Sequence, residues 1–303
     1  MVRPAPPEEA PIRPHPTRRR LLTGAAATAL ARSLPATAAT ARTFTELQDA
    51  FQELEQRHGA RLGVLGHDTG SGATVGHRAD ETFPLCSTFK PLAVAAVLRD
   101  GHDLAARVHY TDRDVTDSGY APATGRARVL TVAELCAAAI EFSDNTAANL
   151  LLRRLGGPTA VTRFCRSLGD PATRLDRWEP ALNSAEPGRT TDTTTPRALA
   201  RTFARLTLGD ALARAHRARL TAWLRATTTG THRLRAGLPS TWTHADKTGT
   251  GAYGTTNDLA LTWPPHRPPL VLAVLSTKPA APTAPADEPL LAATARLLTA
   301  ALP

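Results

Sequence analysis

The chain has 303 residues, 36 Lys plus Arg against 27 Asp plus Glu, and a formal net charge of +9. Hydrophobic residues at 42% and charged residues at 21% are those of a globular protein and exclude a disordered or fibrous chain. Cys86, Cys136 and Cys165 are too few and too scattered for a disulfide framework, and neither Cys-x-x-Cys nor His-Glu-x-x-His spacing occurs, so a disulfide scaffold and a zinc hydrolase are excluded as well.

Residues 1–20 are proline-rich, carry Arg3, Arg13, Arg18, Arg19 and Arg20, and show no helical or strand period. The apolar run Leu21–Ala31 follows and stops at Arg32. A bilayer span needs about twenty apolar residues, so this run is too short for a stable membrane anchor. It suits the apolar core of a cleavable signal peptide, with small-residue cleavage sites near residues 38–41. Thr17-Arg18-Arg19-Arg20-Leu21-Leu22 is similar to a twin-arginine export signal, which implies a transient partner in that export machinery and an exported, secreted or periplasmic product. The other reading is a basic tail beside a short core helix. Loss of residues 1–41 takes away six arginines and two glutamates and leaves +5, spread along a chain with 5% aromatics. No basic stripe or stacking platform for nucleic acid is present in that pattern.

Thr43 and Glu46 have capping-box spacing, and Phe44, Leu47, Phe51 and Leu54 mark one helical face up to Gly59. Residues 61–67 and 73–77 read as two strands joined by Thr69-Gly70-Ser71-Gly72. Helices are predicted at 87–100, 131–142, 145–155, 158–168 and 196–208, with Pro158 and Pro196 at first helical positions. Strands return at 244–250, 257–263 and 270–277, and a final helix is predicted at 287–302. The order implies an α+β fold: a sheet assembled from both chain ends, with an all-helical domain inserted between them. The predicted division is 1–41 leader, 42–84 plus 225–303 α/β domain, and 85–224 helical domain.

Four short segments carry chemistry. Ser87-Thr88-Phe89-Lys90 opens a predicted helix, where a spacing of three sets the lysine amine beside the serine hydroxyl. A serine needs a neighbouring base to become a nucleophile, and a lysine, unlike an arginine, can lose its proton when buried. Only three lysines occur, at 90, 247 and 278, so a chain that almost always uses arginine spends one here. Ser143-Asp144-Asn145 precedes the helix at 145; it offers a second hydroxyl for proton delivery and a carboxamide for a substrate amide, or simply a helix cap. Lys247-Thr248-Gly249-Thr250 lies on a predicted edge strand, where ammonium and hydroxyl suit a carboxylate; the plain reading is an edge lysine that discourages aggregation. Gly249, Gly251 and Gly254 also match a dinucleotide fingerprint, but a strand rather than a helix follows. Glu179-Pro180-Ala181-Leu182-Asn183 places a carboxylate and a carboxamide four apart, able to hold one water between them, within a loop 174–192 whose Arg177 and Asp192 can pair across the neck.

Ser-x-x-Lys, Ser-Asp-Asn and Lys-Thr-Gly in this order resemble the motif set of class A β-lactamases and penicillin-binding proteins, over essentially the whole chain after the leader. Glu-x-x-Leu-Asn on an Ω-shaped loop resembles class A β-lactamases in particular. The resemblance implies a three-layer α/β/α sandwich, a monomer, a small-molecule β-lactam substrate and no metal or organic cofactor. It makes Ser87 the nucleophile, with Lys90, Ser143, Glu179 and Asn183 catalytic. Backbone N–H groups of Ser87 and Thr250 form the oxyanion hole, and Asn145, Lys247, Thr248 and Gly249 bind substrate.

Some positions depart from the pattern. Many relatives carry an arginine shortly after Lys-Thr-Gly; here Ala252-Tyr253-Gly254-Thr255-Thr256 has none, and Arg233 is the candidate to supply the charge, a surface arginine being the other reading. Relatives that pair a cysteine at the position of Cys86 with a second one have Gly251 as the counterpart here. Tyr120 is a candidate wall of the site, or an exposed loop aromatic. A penicillin-binding DD-peptidase and a penicillin-sensing module that is acylated without turnover stay open at this stage.

Overall fold

Strand residues alternate between two apolar cores, and that alternation defines the layers. The computed structural model describes Val2, residues 43–116 and residues 128–302. The expected leader 1–41, apart from Val2, and Tyr120 fall outside the described residues. Residues 41–303 form one compact unit.

In chain order the elements are helix α1 (Phe44–His58), strands β1 (Arg61–Asp68), β2 (Thr74–His77) and β3 (Phe83–Pro84), helix α2 (Lys90–Arg99), strands β4 (Arg107–His109) and β5 (Val129–Thr131), and helices α3 (Val132–Glu141), α4 (Asn145–Arg154) and α5 (Thr159–Ser167). Then come β6 (Thr193–Thr194), α6 (Pro196–Thr207), α7 (Arg214–Arg225), the single turn α8 (Leu234–Gly237), β7 (Thr243–Gly251), β8 (Thr255–Trp263), β9 (Leu270–Thr277) and α9 (Glu288–Ala301). The main sheet has the order β2-β1-β9-β8-β7, antiparallel throughout, so strands from both chain ends build it and β7 is an edge.

On β9, Leu270, Leu272 and Val274 face α1, α8 and α9, whereas Val271, Ala273 and Leu275 face the helical layer built on α2. A period of two on a strand covered on both sides produces this continuous apolar run. On β1, Gly63 lies against Phe83 and Pro196, and a Cβ there would stand 2.4 Å from the Phe83 ring. Three layers result, as the α/β/α expectation requires.

Boundaries shift for local reasons. The expected helix 87–100 begins as a 3₁₀ turn, Cys86–Phe89, and becomes α2 only at Lys90. Pro158 is the residue before α5, not its first residue, whereas Pro196 does open α6. Gly59, Gly101 and Gly156 take positive φ after their helices, the conformation for which glycine is suited.

Candidate active site

The Ser87 turn sits between β7 and the helical layer. Asn257, a polar residue on β8, the strand next to the β7 edge, donates from Nδ2 to the carbonyls of Pro84 (2.8 Å) and Leu85 (3.3 Å) and ties the turn to the sheet. Gly249 lets β7 run close beside it: a Cβ there would stand 3.2 Å from Cys86 Cβ and 3.2 Å from Thr88 Cγ2. In a 3₁₀ turn residues three apart eclipse, so Ser87 and Lys90 share one side.

Both meet the same carboxylate. Ser87 Oγ donates to Glu179 Oε1 at 3.2 Å, and Lys90 Nζ lies 3.1 Å from that oxygen. Lys90 Nζ also donates to Ser143 O (2.7 Å), Ser143 Oγ (3.3 Å) and Asn145 Oδ1 (2.7 Å). Ser143 Oγ in turn accepts from Lys247 Nζ at 2.9 Å, so one hydroxyl bridges two ammonium groups. Ser143 reaches this place with φ +55°, while Asp144 caps α4 by accepting from Ala147 N at 3.0 Å. The cap thus falls on Asp144, while Ser143 and Asn145 lie beside Lys90.

Lys90 and Lys247 are fully buried. Burial lowers the pKa of Lys90 against the opposing pull of Glu179. Burial also holds Lys247 well below the ordinary lysine value, helped by the positive charges of Lys90 and Arg233. An edge lysine held in water does not describe Lys247. Thr248 is buried behind it, with its Oγ1 2.6 Å from Thr229 Oγ1, and Thr250 is exposed.

Loop 174–192 closes at its neck as expected. Asp192 Oδ2 takes Arg177 Nε at 2.5 Å, and its Oδ1 accepts the N–H groups of Asp176 (2.8 Å) and Arg177 (2.9 Å). A 3₁₀ turn, Ala181–Ser184, presents Asn183, whose Nδ2 donates to Glu179 Oε2 at 2.5 Å. Asn183 Oδ1 is buried with no hydrogen-bond partner among the described residues, a spare acceptor on the same side chain. Asn149 clamps Glu179 from α4: it donates to the Glu179 carbonyl (2.9 Å) and accepts from its N–H (3.0 Å). The loop also joins the end of β7, since Ala252 N donates to Asn183 O at 2.9 Å.

Arg233 is no surface arginine: at 1% exposure it lies beneath β7. Its Nη1 donates to the carbonyls of Gly249 (2.7 Å) and Asn257 (2.8 Å), and its Nη2 to Thr250 Oγ1 (2.6 Å). Gly251 lies against Cys86, whose Sγ would be 2.8 Å from a Cβ at that position; all three cysteines are free and buried. Ser87, Lys90, Ser143, Asn145, Glu179, Asn183, Lys247, Thr248, Gly249, Thr250 and Arg233 thus belong to one region.

Asn149, Thr229 and Asn257 went unread in the sequence. Asn149 carried a signal, since it falls one turn after Asn145 on the same helix face. Asn257 carried another, as an amide within a β-patterned run. Thr229 carried none.

The family model described as "Beta-lactamase enzyme family" matches residues 46–302. A β-lactamase of Streptomyces lavendulae is 59% identical over 299 residues, covering 95% of this chain and 97% of that one. The solved β-lactamase of Streptomyces albus G is 56% identical, with TM-score 0.82, covering 85% of this chain and 100% of its own. A solved variant of the reconstructed last common ancestor of Gram-negative bacteria class A β-lactamase is 52% identical, with TM-score 0.80, covering 84% of this chain and 98% of its own. With the motifs, the fold and these likenesses in agreement, the chain belongs to the β-lactamase enzyme family and within it to class A.

Proposed function

We propose that the protein hydrolyses β-lactam antibiotics through an ester on Ser87, conferring resistance on the cell that exports it. The cleft lies, in this reading, between the helical part 85–224 and the α/β part formed by 42–84 and 225–303. The observation that carries the proposal is that Ser87 and Lys90 both meet Glu179 Oε1. Ser87 Oγ attacks the lactam carbonyl carbon, and its proton leaves along the hydrogen bond to Glu179 Oε1, beside the Lys90 ammonium. Backbone N–H groups of Ser87 and Thr250 hold the oxyanion; removing one such donor typically costs ~10²–10³ in rate. As the C–N bond breaks, Ser143 Oγ passes its proton to the departing nitrogen and is reprotonated from the lysine ammonium groups beside it. Lys247, Thr248 and Thr250 take the substrate carboxylate, with Arg233 behind Thr250, and Asn145 takes the side-chain amide. Glu179 returns the proton taken from Ser87 to Lys90, restoring the lysine charge. As a carboxylate again, it removes a proton from a water that attacks the ester, with Asn183 Oδ1 as second acceptor; that proton goes to Ser87 Oγ as the ester C–O bond breaks.

Residues 1–41, with Arg18 and Arg19, serve as a twin-arginine leader in this proposal, and the exported product is a monomer. No described helix is long and apolar enough to cross a membrane. The test is purified protein with a chromogenic cephalosporin, followed well past one equivalent. Sustained turnover is expected. A single burst would point to the sensing module, and a burst with cleavage of cell-wall peptide to the DD-peptidase.

A further inference from the structure

Behind β7, on the face opposite Lys247, two carboxylates are buried with one oxygen each left over. Asp246 is opposite Ala260 and Asp258 is opposite Thr248, so the two are diagonal neighbours on one face of the β7–β8 ladder. Both are fully buried, and Asp246 Oδ2 and Asp258 Oδ1 have no hydrogen-bond partner among the described residues. Gly230 closes over Asp246: a Cβ there would stand 2.0 Å from Asp246 Oδ2.

The charges around them leave Asp258 as the surplus anion. Asp246 Oδ1 is ion-paired with Arg235, Nε and Nη2 each at 2.5 Å, and Arg233 has Glu288 at 3.3 Å. Asp258 has no ion pair among the described residues; its Oδ2 accepts the Leu234 N–H at 3.2 Å. Of the remaining groups that face this cluster, Lys247 points to the other side of the strand, and burial pushes His244 down to about 4, so it is neutral. A buried, unpaired carboxylate is costly, and taking up a proton removes the cost.

We propose that Asp258 is a neutral carboxylic acid in the working protein, and that its proton sets the charge behind β7 that keeps Arg233 and Lys247 directed at the substrate's carboxylate. Asp258 is a positioning residue: it touches no reacting atom. Burial first, and the neighbouring Asp246 second, push its pKa up to about 8. Loss of the proton adds a negative charge that competes for the Arg233 guanidinium and repels an incoming carboxylate. The sign for stability follows from linkage. An acid whose pKa is raised on folding contributes stability in full below the unfolded value of about 3.9, and that contribution is lost as the pH rises through the folded value. The advantage of Asp258→Asn in Tm is therefore expected to widen between these two values.

Infrared difference spectra of the unmodified protein, taken on either side of the folded value, test the proton directly and need no variant. The expected result is a protonated-carboxyl carbonyl band that disappears on the alkaline side and is missing in Asp258→Asn. No such band, or its survival in Asp258→Asn, overturns the proposal. The positioning half rests on the carboxylate-binding role proposed above for Lys247 and Arg233, and a penicillin tests it. Over the same pH interval KM should rise in the wild type with kcat little changed, while Asp258→Asn keeps its low-pH KM. Identical KM profiles for the two proteins would overturn the positioning role while leaving turnover, and so the proposed function, intact.

Discussion

Helices α1 and α2 are built on opposite plans. In α1 only Leu47, Phe51 and Leu54 are buried; Thr43 caps the start in a capping box, and Gly59 stops it in a left-handed conformation. In α2 every residue from Lys90 to Leu98 is buried, with no capping side chain, and a charged residue at its head. An amphipathic surface helix with good caps draws its stability from one stripe and local hydrogen bonds. A helix buried all round supplies packing on every side, and packing gives no reason to place an ammonium there. The Lys90 charge exists for what it meets: Glu179, Ser143 and Asn145. Stability and chemistry are thus separable by region.

Two variants probe that separation. The largest effect is expected from Lys90→Met combined with Glu179→Gln, which removes both charges at similar volume. Turnover should fall by roughly 10⁴-fold or more, as loss of acid–base groups predicts. The unfolding free energy should hold or rise, since replacing a buried ion pair is often neutral or stabilising by about 1–4 kcal/mol. Steady-state kinetics beside urea unfolding checks both, and a large loss of stability would break the comparison. The smaller effect is the mirror image. Phe51→Ala on α1 removes a fully buried ring. It should cost about 3–5 kcal/mol of stability in the same unfolding experiment, as truncation of a core Phe does, with kcat unchanged under folding conditions.

The same division explains what was legible in the sequence. Capping boxes at Thr43 and Thr131, the apolar run Leu270–Leu275 and the stop glycines are local features, and each reappears where local physics puts it. Helix α7 was not legible. Ala213 before it makes no side-chain cap, and only Leu220 and Leu224 of its arginine-rich face are buried, against the helical layer. The two-residue ladder β3–β6 and the turn α8 depend on tertiary partners alone. At the site, motif order marked the candidate groups, while their convergence required the fold. Arg233 shows the limit. Its residue type suggested a surface position, and only the approach of Gly249, Asn257 and Thr250 explains why it is buried.

The most direct measurement takes the Glu179→Ala protein, adds a penicillin, and weighs the intact chain before and after digestion. The account predicts a lasting mass increase of one opened lactam, located on the peptide that contains Ser87, with turnover reduced by about 10²–10⁴-fold through loss of the base for ester hydrolysis. An adduct on any other residue, or rapid turnover with no trapped ester, would contradict it.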